Sequence, residues 1–156
     1  MKPIQLISPV DGRVYAERMP LTATQADAVV ARAKAAQKPW ASRPLEDRIA
    51  LVKAGVAKLN TMSEVVVEEI AWQMGRPTRY GGEFGGVNAR TDYMASIAAK
   101  TLAPEMIEDS AAFRRYLARE PVGVVFIIAP WNYPYLTTIN TLVPALIAGT
   151  TVVLKH

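Results

Sequence analysis

At 156 residues, 51% of them hydrophobic and 21% charged, the chain has the composition of one globular domain with a sizeable core, which excludes a disordered segment. Lys and Arg number 18 against 14 Asp and Glu, a net charge of +4, too mild for a nucleic-acid surface. The densest basic stretch, Arg114, Arg115 and Arg119 with Phe113 and Tyr116 between them, reads as a solvated strand face. There is no cysteine, and the one histidine is His156; disulfides, thiolate chemistry, a histidine triad and a Cys- or His-based metal site are excluded within these residues, so no metal is expected. The start is broken by Pro3 and Pro9 and is not a signal peptide, and the apolar run 122–129 is too short to span a bilayer. These features predict a soluble, cytoplasmic protein.

Residues 1–22 read as an extended arm, with Asp11-Gly12 as a hairpin turn. Helical periodicity starts at Thr22 or Thr24, either of which could cap, and runs through Ala26, Val29, Ala33, Ala36 and Trp40, with Pro39 predicted to end it. The next helix is clearer: Pro44 stands in its first turn, and Leu45, Ile49, Val52, Val56 and Leu59 form one stripe. Thr61-Met-Ser-Glu64 fits a capping box for a third helix through Val67, Ile70, Ala71 and Met74, stopped by Gly75 and Pro77. Gly81-Gly82-Glu-Phe-Gly85-Gly86 is glycine-dense but is not a dinucleotide fingerprint, since no strand precedes it. It reads as the start of a fourth helix, whose face is Val87, Thr91, Met94 and Ala98.

After Pro104 the period changes. Residues 113–119 can be a strand, and 122–128 form a continuous apolar run of the kind buried on both faces of a parallel sheet. A helix over 134–148, with a kink at Pro144 and closed by Gly149, leads to a second apolar strand, Thr150–Leu154. The prediction is an α/β fold: an amino-terminal helical region plus the first βαβ unit of a Rossmann-like parallel sheet. Two strands of this kind expect further neighbours, and the chain stops at a strand's carboxyl end. It therefore reads as the amino-terminal piece of a longer protein.

Two places carry chemistry. The segment Ile128-Ala-Pro-Trp-Asn-Tyr-Pro134 leaves a strand's carboxyl end and enters a helix, where open α/β sheets bind ligands. Asn132 there could donate its amide to a developing oxyanion, or it could simply cap the helix while Trp131 fills core. On position alone the cap reading is favoured. Lys155, at the end of the second strand, could reach a ribose hydroxyl or a phosphate, or be an ordinary solvated lysine. Glu68-Glu69 and Glu108-Asp109 read as solvated acidic pairs without an acid–base role.

Glu120-Pro-Val-Gly-Val-Val, Ala129-Pro-Trp-Asn-Tyr-Pro134 and Pro144-Ala-Leu-Ile-Ala-Gly-Thr-Thr-Val-Val-Leu-Lys155 together resemble the aldehyde dehydrogenase superfamily without gaps. Gln73-Met-Gly-Arg-Pro77 is similar to that family's E-x-G-K-P segment, with Gln73 and Arg76 as departures, and Ser8-Pro-Val-Asp-Gly12 to its opening arm. Further departures are His156, where many members continue with proline, and Thr141, where many carry a basic residue. The resemblance implies that Asn132 is an oxyanion-hole amide, which reverses the cap reading. It implies that Ala129, Pro130 and Trp131 line a nicotinamide dinucleotide cleft, and that Lys155 contacts the adenosine ribose of NAD or the 2′-phosphate of NADP. On this basis residues 1–156 are the amino-terminal portion of an NAD-binding domain, with 106–119 as the first strand of an oligomerisation arm and the catalytic domain absent. The family's phosphate loop, general-base glutamate and catalytic cysteine are expected beyond residue 156. The intact enzyme would oxidise an aldehyde to a carboxylic acid with NAD(P) as a homo-oligomer, and the 156-residue chain alone would be inactive. The alternative is a non-catalytic remnant or interaction module that pairs with full-length dehydrogenase subunits.

Overall fold

The computed structural model describes residues 2–155; Met1 and His156, with the expectations that fall on His156, lie outside them. Strands β1 (Ile4–Ile7) and β2 (Val14–Arg18) pair antiparallel across the Asp11-Gly12 turn, as the sequence predicts. The hairpin is pinned to the third helix by Ser8, which is 2% exposed and whose hydroxyl donates to the Trp72 carbonyl at 2.6 Å.

Helix α1 (Ala23–Ala41) begins at Thr22 with a full capping box: the Thr22 hydroxyl accepts the Gln25 N–H, and the Gln25 side chain accepts the Thr22 N–H. Its end corrects the sequence reading, because Pro39 lies inside the last turn and the helix continues to Ala41. The Ser42 N–H still reaches the Lys38 carbonyl, so proline this close to the end removes one ladder bond without terminating the helix. The covered side of α1 is Val29, Ala33, Gln37 and Trp40, whereas Ala26 and Ala36 of the predicted stripe are exposed.

Helix α2 (Leu45–Asn60) has the predicted stripe, with Val52 and Val56 buried. The predicted capping box at Thr61–Glu64 does not form. Thr61 is the carboxyl cap of α2 and its hydroxyl donates back to the Lys58 carbonyl, while α3 (Ser63–Met74) starts behind Met62 without a side-chain cap. A threonine that satisfies an outgoing carbonyl is no longer free to cap the next helix. Gly75 then ends α3 in the left-handed conformation, as predicted. A 3-10 turn (Thr78–Tyr80) leads to α4 (Phe84–Leu102), with Val87, Thr91 and Ala98 buried.

Where the sequence predicts a single strand over 106–119, the chain forms an antiparallel hairpin of β3 (Glu105–Asp109) and β4 (Arg114–Leu117). Ser110 makes the reversal: its hydroxyl accepts the Phe113 N–H at 3.1 Å. The basic residues face water and pair across the hairpin, Arg115 with Glu108 at 3.1 Å and Arg119 with Glu105 at 3.5 Å, contacts worth about 0–1 kcal/mol each.

Strand β5 (Val124–Ile128), helix α5 (Pro134–Ile147) and strand β6 (Thr151–Lys155) form the predicted unit, with β5 and β6 parallel from Val124↔Thr151 to Ile128↔Lys155. Burial on both faces of β5 is not observed. Ile127 is buried, but Phe126 and Ile128, which share the other face, are 60% and 63% exposed, because nothing among the described residues covers that face. The core is helical: Val52 and Val56 of α2, Val87 and Ala98 of α4, and Ile139, Val143 and Ile147 of α5 form one cluster.

Helix α5 is held at its carboxyl end by side chains from the first two helices. The Trp40 indole N–H donates to the Leu146 carbonyl at 2.8 Å, Arg48 Nε to the Ile147 carbonyl at 2.9 Å, and Gln37 Nε2 to the Gly149 carbonyl at 3.2 Å. Leu146 and Ile147 belong to the last turn, whose carbonyls a helix cannot all pair internally, and a guanidinium there also complements the helix dipole. Gly149 turns the chain into β6 at φ +87°, and a Cβ on it would lie 3.0 Å from the Pro121 ring and 3.3 Å from the Ala41 backbone. Gly149→Ala is therefore expected to destabilise the chain by about 1–2 kcal/mol or more, read from the urea midpoint; an unchanged midpoint would show that the turn relaxes freely.

Candidate active site

The turn 129–133 leaves β5 and enters α5, and its position is fixed by backbone pairing. The Ala129 N–H donates to the Lys155 carbonyl at 2.8 Å, so the turn begins beside the last residue of β6. Thus Ala129, Pro130, Trp131, Asn132 and Lys155 gather at the carboxyl ends of two parallel strands. Ala129 and Pro130 are half-buried, Asn132 and Lys155 are exposed, and Trp131 is 76% exposed. Trp131 therefore does not fill core in this chain. Nor is Asn132 the helix cap: the cap position is Tyr133, which makes no side-chain capping bond. The Asn132 side-chain amide makes no hydrogen bond among the described residues, and its exposed position leaves its N–H₂ available to a ligand.

The first turn of α5 is served from a distance. Pro134 has no N–H to satisfy, and the Leu136 N–H donates to Glu83 Oε2 at 2.6 Å. Glu83 Oε1 accepts from Arg76 Nη1 at 3.0 Å, in an ion pair whose side chains are 1% and 11% exposed. Arg76 Nη2 donates to the backbone carbonyl of Asn132, and the guanidinium lies 4.5 Å from the centroid of the Tyr133 ring. Neither residue is legible as functional in the sequence: Arg76 stands out only as a departure from a family pattern, and Glu83 lies within the glycine-dense stretch. The available signal is a lone acidic residue between Gly82 and Gly85, where nothing local asks for charge. Tyr135, whose ring packs 6.1 Å from that of Phe84, has its phenol pKa raised above the ordinary tyrosine value by burial and by the Glu69 and Glu83 carboxylates.

An open groove lies elsewhere, between the amino-terminal hairpin, α3 and the start of α4, lined by Val10, Val67, Ala71, Trp72, Thr78 and Phe84. Its walls are mostly apolar, and it contains neither Asn132 nor Lys155. No group of His, Cys, Asp and Glu among the described residues is arranged to hold a metal ion, and no helix is long and apolar enough to cross a membrane.

The fold and this turn define a Rossmann-like α/β protein with its candidate site at the carboxyl edge of the parallel pair. The aldehyde dehydrogenase family model matches residues 1–156, and the chain belongs to that family. A Mycobacterium tuberculosis (strain ATCC 25618 / H37Rv) protein named for NADP-dependent succinate-semialdehyde dehydrogenase activity is 32% identical over 138 residues, which are 86% of this chain and 26% of the relative. Among solved structures, PnpE of Pseudomonas sp. WBC-3, in its complex with nicotinamide adenine dinucleotide, superimposes with a TM-score of 0.87 at 30% identity over 98% of this chain and 32% of its own. The NAD-dependent benzaldehyde dehydrogenase of Corynebacterium glutamicum superimposes with a TM-score of 0.88 at 27% identity, over 98% of this chain and 34% of its own. The chain thus spans about a quarter to a third of the length of the relatives it matches.

Proposed function

We propose that this chain contributes the oxyanion-hole amide and one wall of the cofactor cleft to an enzyme that oxidises an aldehyde to a carboxylic acid with NAD or NADP. The observation that carries the proposal is the exposed Asn132 amide, held on a proline-braced turn at the carboxyl ends of β5 and β6 beside Lys155. The residues present fit a dinucleotide: Lys155 offers an exposed ammonium at a strand end and Trp131 an exposed indole, the chemistry that meets a ribose or phosphate and a flat ring. NAD(P) supplies the hydride acceptor when bound. Ala129, Pro130 and Trp131 line its cleft, and Lys155 binds the adenosine ribose of NAD or the 2′-phosphate of NADP.

Asn132 Nδ2 donates to the substrate carbonyl oxygen as a thiolate adds to its carbon. This donor acts where negative charge develops, so it lowers the barrier rather than merely tightening substrate binding. The thiolate and the base that activates water come from outside these 156 residues, which contain no cysteine. In this reading residues 1–156 are the amino-terminal portion of the NAD-binding domain. The exposed faces of Phe126, Ile128 and Leu154 support a sheet completed by other segments. The Glu105–Leu117 hairpin, with Ile107, Phe113 and Tyr116 exposed, is the oligomerisation arm of a cytoplasmic homo-oligomer.

The purified 156-residue chain is expected to show no NAD(P)-dependent aldehyde oxidation; measurable turnover would mean that it needs no outside nucleophile. The complete dehydrogenase is expected to reduce NAD or NADP with at least one member of a panel of aliphatic, aromatic and acidic aldehydes. Failure with every member and both cofactors would sink the aldehyde-oxidising reading.

A further inference from the structure

We propose that Arg76 and Glu83 are a positioning pair for Asn132, spanning the active-site turn and setting where its amide stands; the inference rests on the oxyanion reading above. The turn has two backbone ends that need a partner: the Asn132 carbonyl on the entering side and the Leu136 N–H in the first turn of α5. One ion pair meets both. Arg76 donates to the Asn132 carbonyl, Glu83 accepts from Leu136 at 2.6 Å, and the two side chains join each other at 3.0 Å. Between these grips the guanidinium lies against the Tyr133 ring, so residues 132, 133 and 136 are all in contact with the pair. The turn itself has no side-chain cap at Tyr133.

The pair is anchored independently of the turn it holds. Arg76 follows the left-handed Gly75 that ends α3, and the Glu83 backbone carbonyl accepts the Val87 N–H as α4 begins. Position is thereby transmitted from the end of α3 and the start of α4 to the turn. The choice of charge is informative. Glu83 is 5% exposed, and well-packed apolar residues would stabilise such a site as well as a buried ion pair does. What the ion pair adds is direction: a planar guanidinium and a carboxylate fix the atoms they bond within narrow angles. A displacement of about 1 Å at a reacting centre can lower a rate by about a hundred-fold, so a group that fixes Asn132 acts on turnover without touching substrate or cofactor.

The test is a double-mutant cycle in the complete dehydrogenase, with kcat and the dissociation constant of the cofactor measured for Arg76→Met, Asn132→Ala and the double variant. Arg76→Met is expected to lower kcat by about tenfold while cofactor affinity stays within about twofold, and to lower it no further once Asn132 is Ala. Arg76→Lys, which keeps the cation beside Glu83 but loses the planar fork that reaches Glu83 and Asn132 together, is expected to recover only part of the loss. Should Arg76→Met not fold, Glu83→Gln, which keeps an acceptor for Leu136 but removes the charge, takes its place in the same cycle. Unchanged turnover in the pair variants overturns the proposal, as does an equal loss with Asn132 present or absent. If Asn132→Ala alone leaves turnover intact, the oxyanion reading fails on that variant and the positioning role falls with it, an outcome distinct from failure of the pair.

Discussion

Asn132→Ala is expected to lower turnover of the complete dehydrogenase by roughly a hundred-fold or more, with cofactor affinity within about twofold of the parent. The magnitude follows from what the amide is asked to do. A fixed donor aimed at a developing oxyanion typically contributes about 2.7–4 kcal/mol to the transition state, and alanine leaves no replacement. The selectivity follows from the proposed division of roles, in which the cofactor contacts fall to Lys155 and the exposed Trp131 rather than to Asn132. Stability should change by less than about 0.5 kcal/mol, since Asn132 is exposed and neither caps α5 nor makes a side-chain bond. A true helix cap would lose about 1 kcal/mol on the same change. Asn132→Asp is expected to be worse than alanine, because it sets a carboxylate where negative charge must grow. The amide does not titrate, so the pH profile of the residual activity should keep its shape. A matching loss of cofactor affinity, or a stability loss of cap size, would make Asn132 structural.

How far the sequence reveals this arrangement depends on the separation of the interacting groups. The α2 stripe, the β5–α5–β6 order and the α1 cap, narrowed to Thr22 or Thr24 and found at Thr22, are legible because each is written within one element or across adjacent ones. The errors arise where a residue has two local options. Pro39 is read as a terminator but sits in a last turn that tolerates it, and Thr61 matches a capping pattern while its hydroxyl bonds backward. The long-range partners are a different case. Glu83 and Leu136 are 53 positions apart, Trp40 and Leu146 106, and no periodicity links them. Arg48 falls off the apolar stripe of α2, yet it closes the carboxyl end of α5. The same holds for the candidate site. The turn and its amide are legible as a motif, while the residues that hold the turn still, Arg76 and Glu83, come from the connection between α3 and α4, where nothing local links them to residues 132–136. The apolar run 122–128 predicts burial that this chain does not provide: the pattern reports the sheet that the strand is built for, and the exposed Phe126 and Ile128 show the faces left over.

Glu83→Ala is expected to lower the stability of the 156-residue chain by about 3 kcal/mol, the lower part of the range for removing one member of a buried ion pair. Three losses combine. The Arg76 guanidinium, 11% exposed, keeps its charge in a poorly hydrated place. The Leu136 N–H becomes an unpaired donor at the start of a helix, and the favourable carboxylate at the positive end of the α5 dipole disappears. The loss stays near the low end because Arg76 retains the Asn132 carbonyl and the Tyr133 ring. The decisive comparison is with a variant that removes both charges. Arg76→Met combined with Glu83→Ala no longer strands a guanidinium, so it should be more stable than Glu83→Ala alone even though it has lost one group more. Urea denaturation of the parent, the single and the double variant measures this directly. A double variant less stable than Glu83→Ala would show that Arg76 stabilises the turn on its own, through Asn132 and Tyr133, and that the charge pair is not what the fold depends on. The same ordering bears on the site, because a turn that survives without either charge can keep its place in the fold while losing the direction that sets the Asn132 amide.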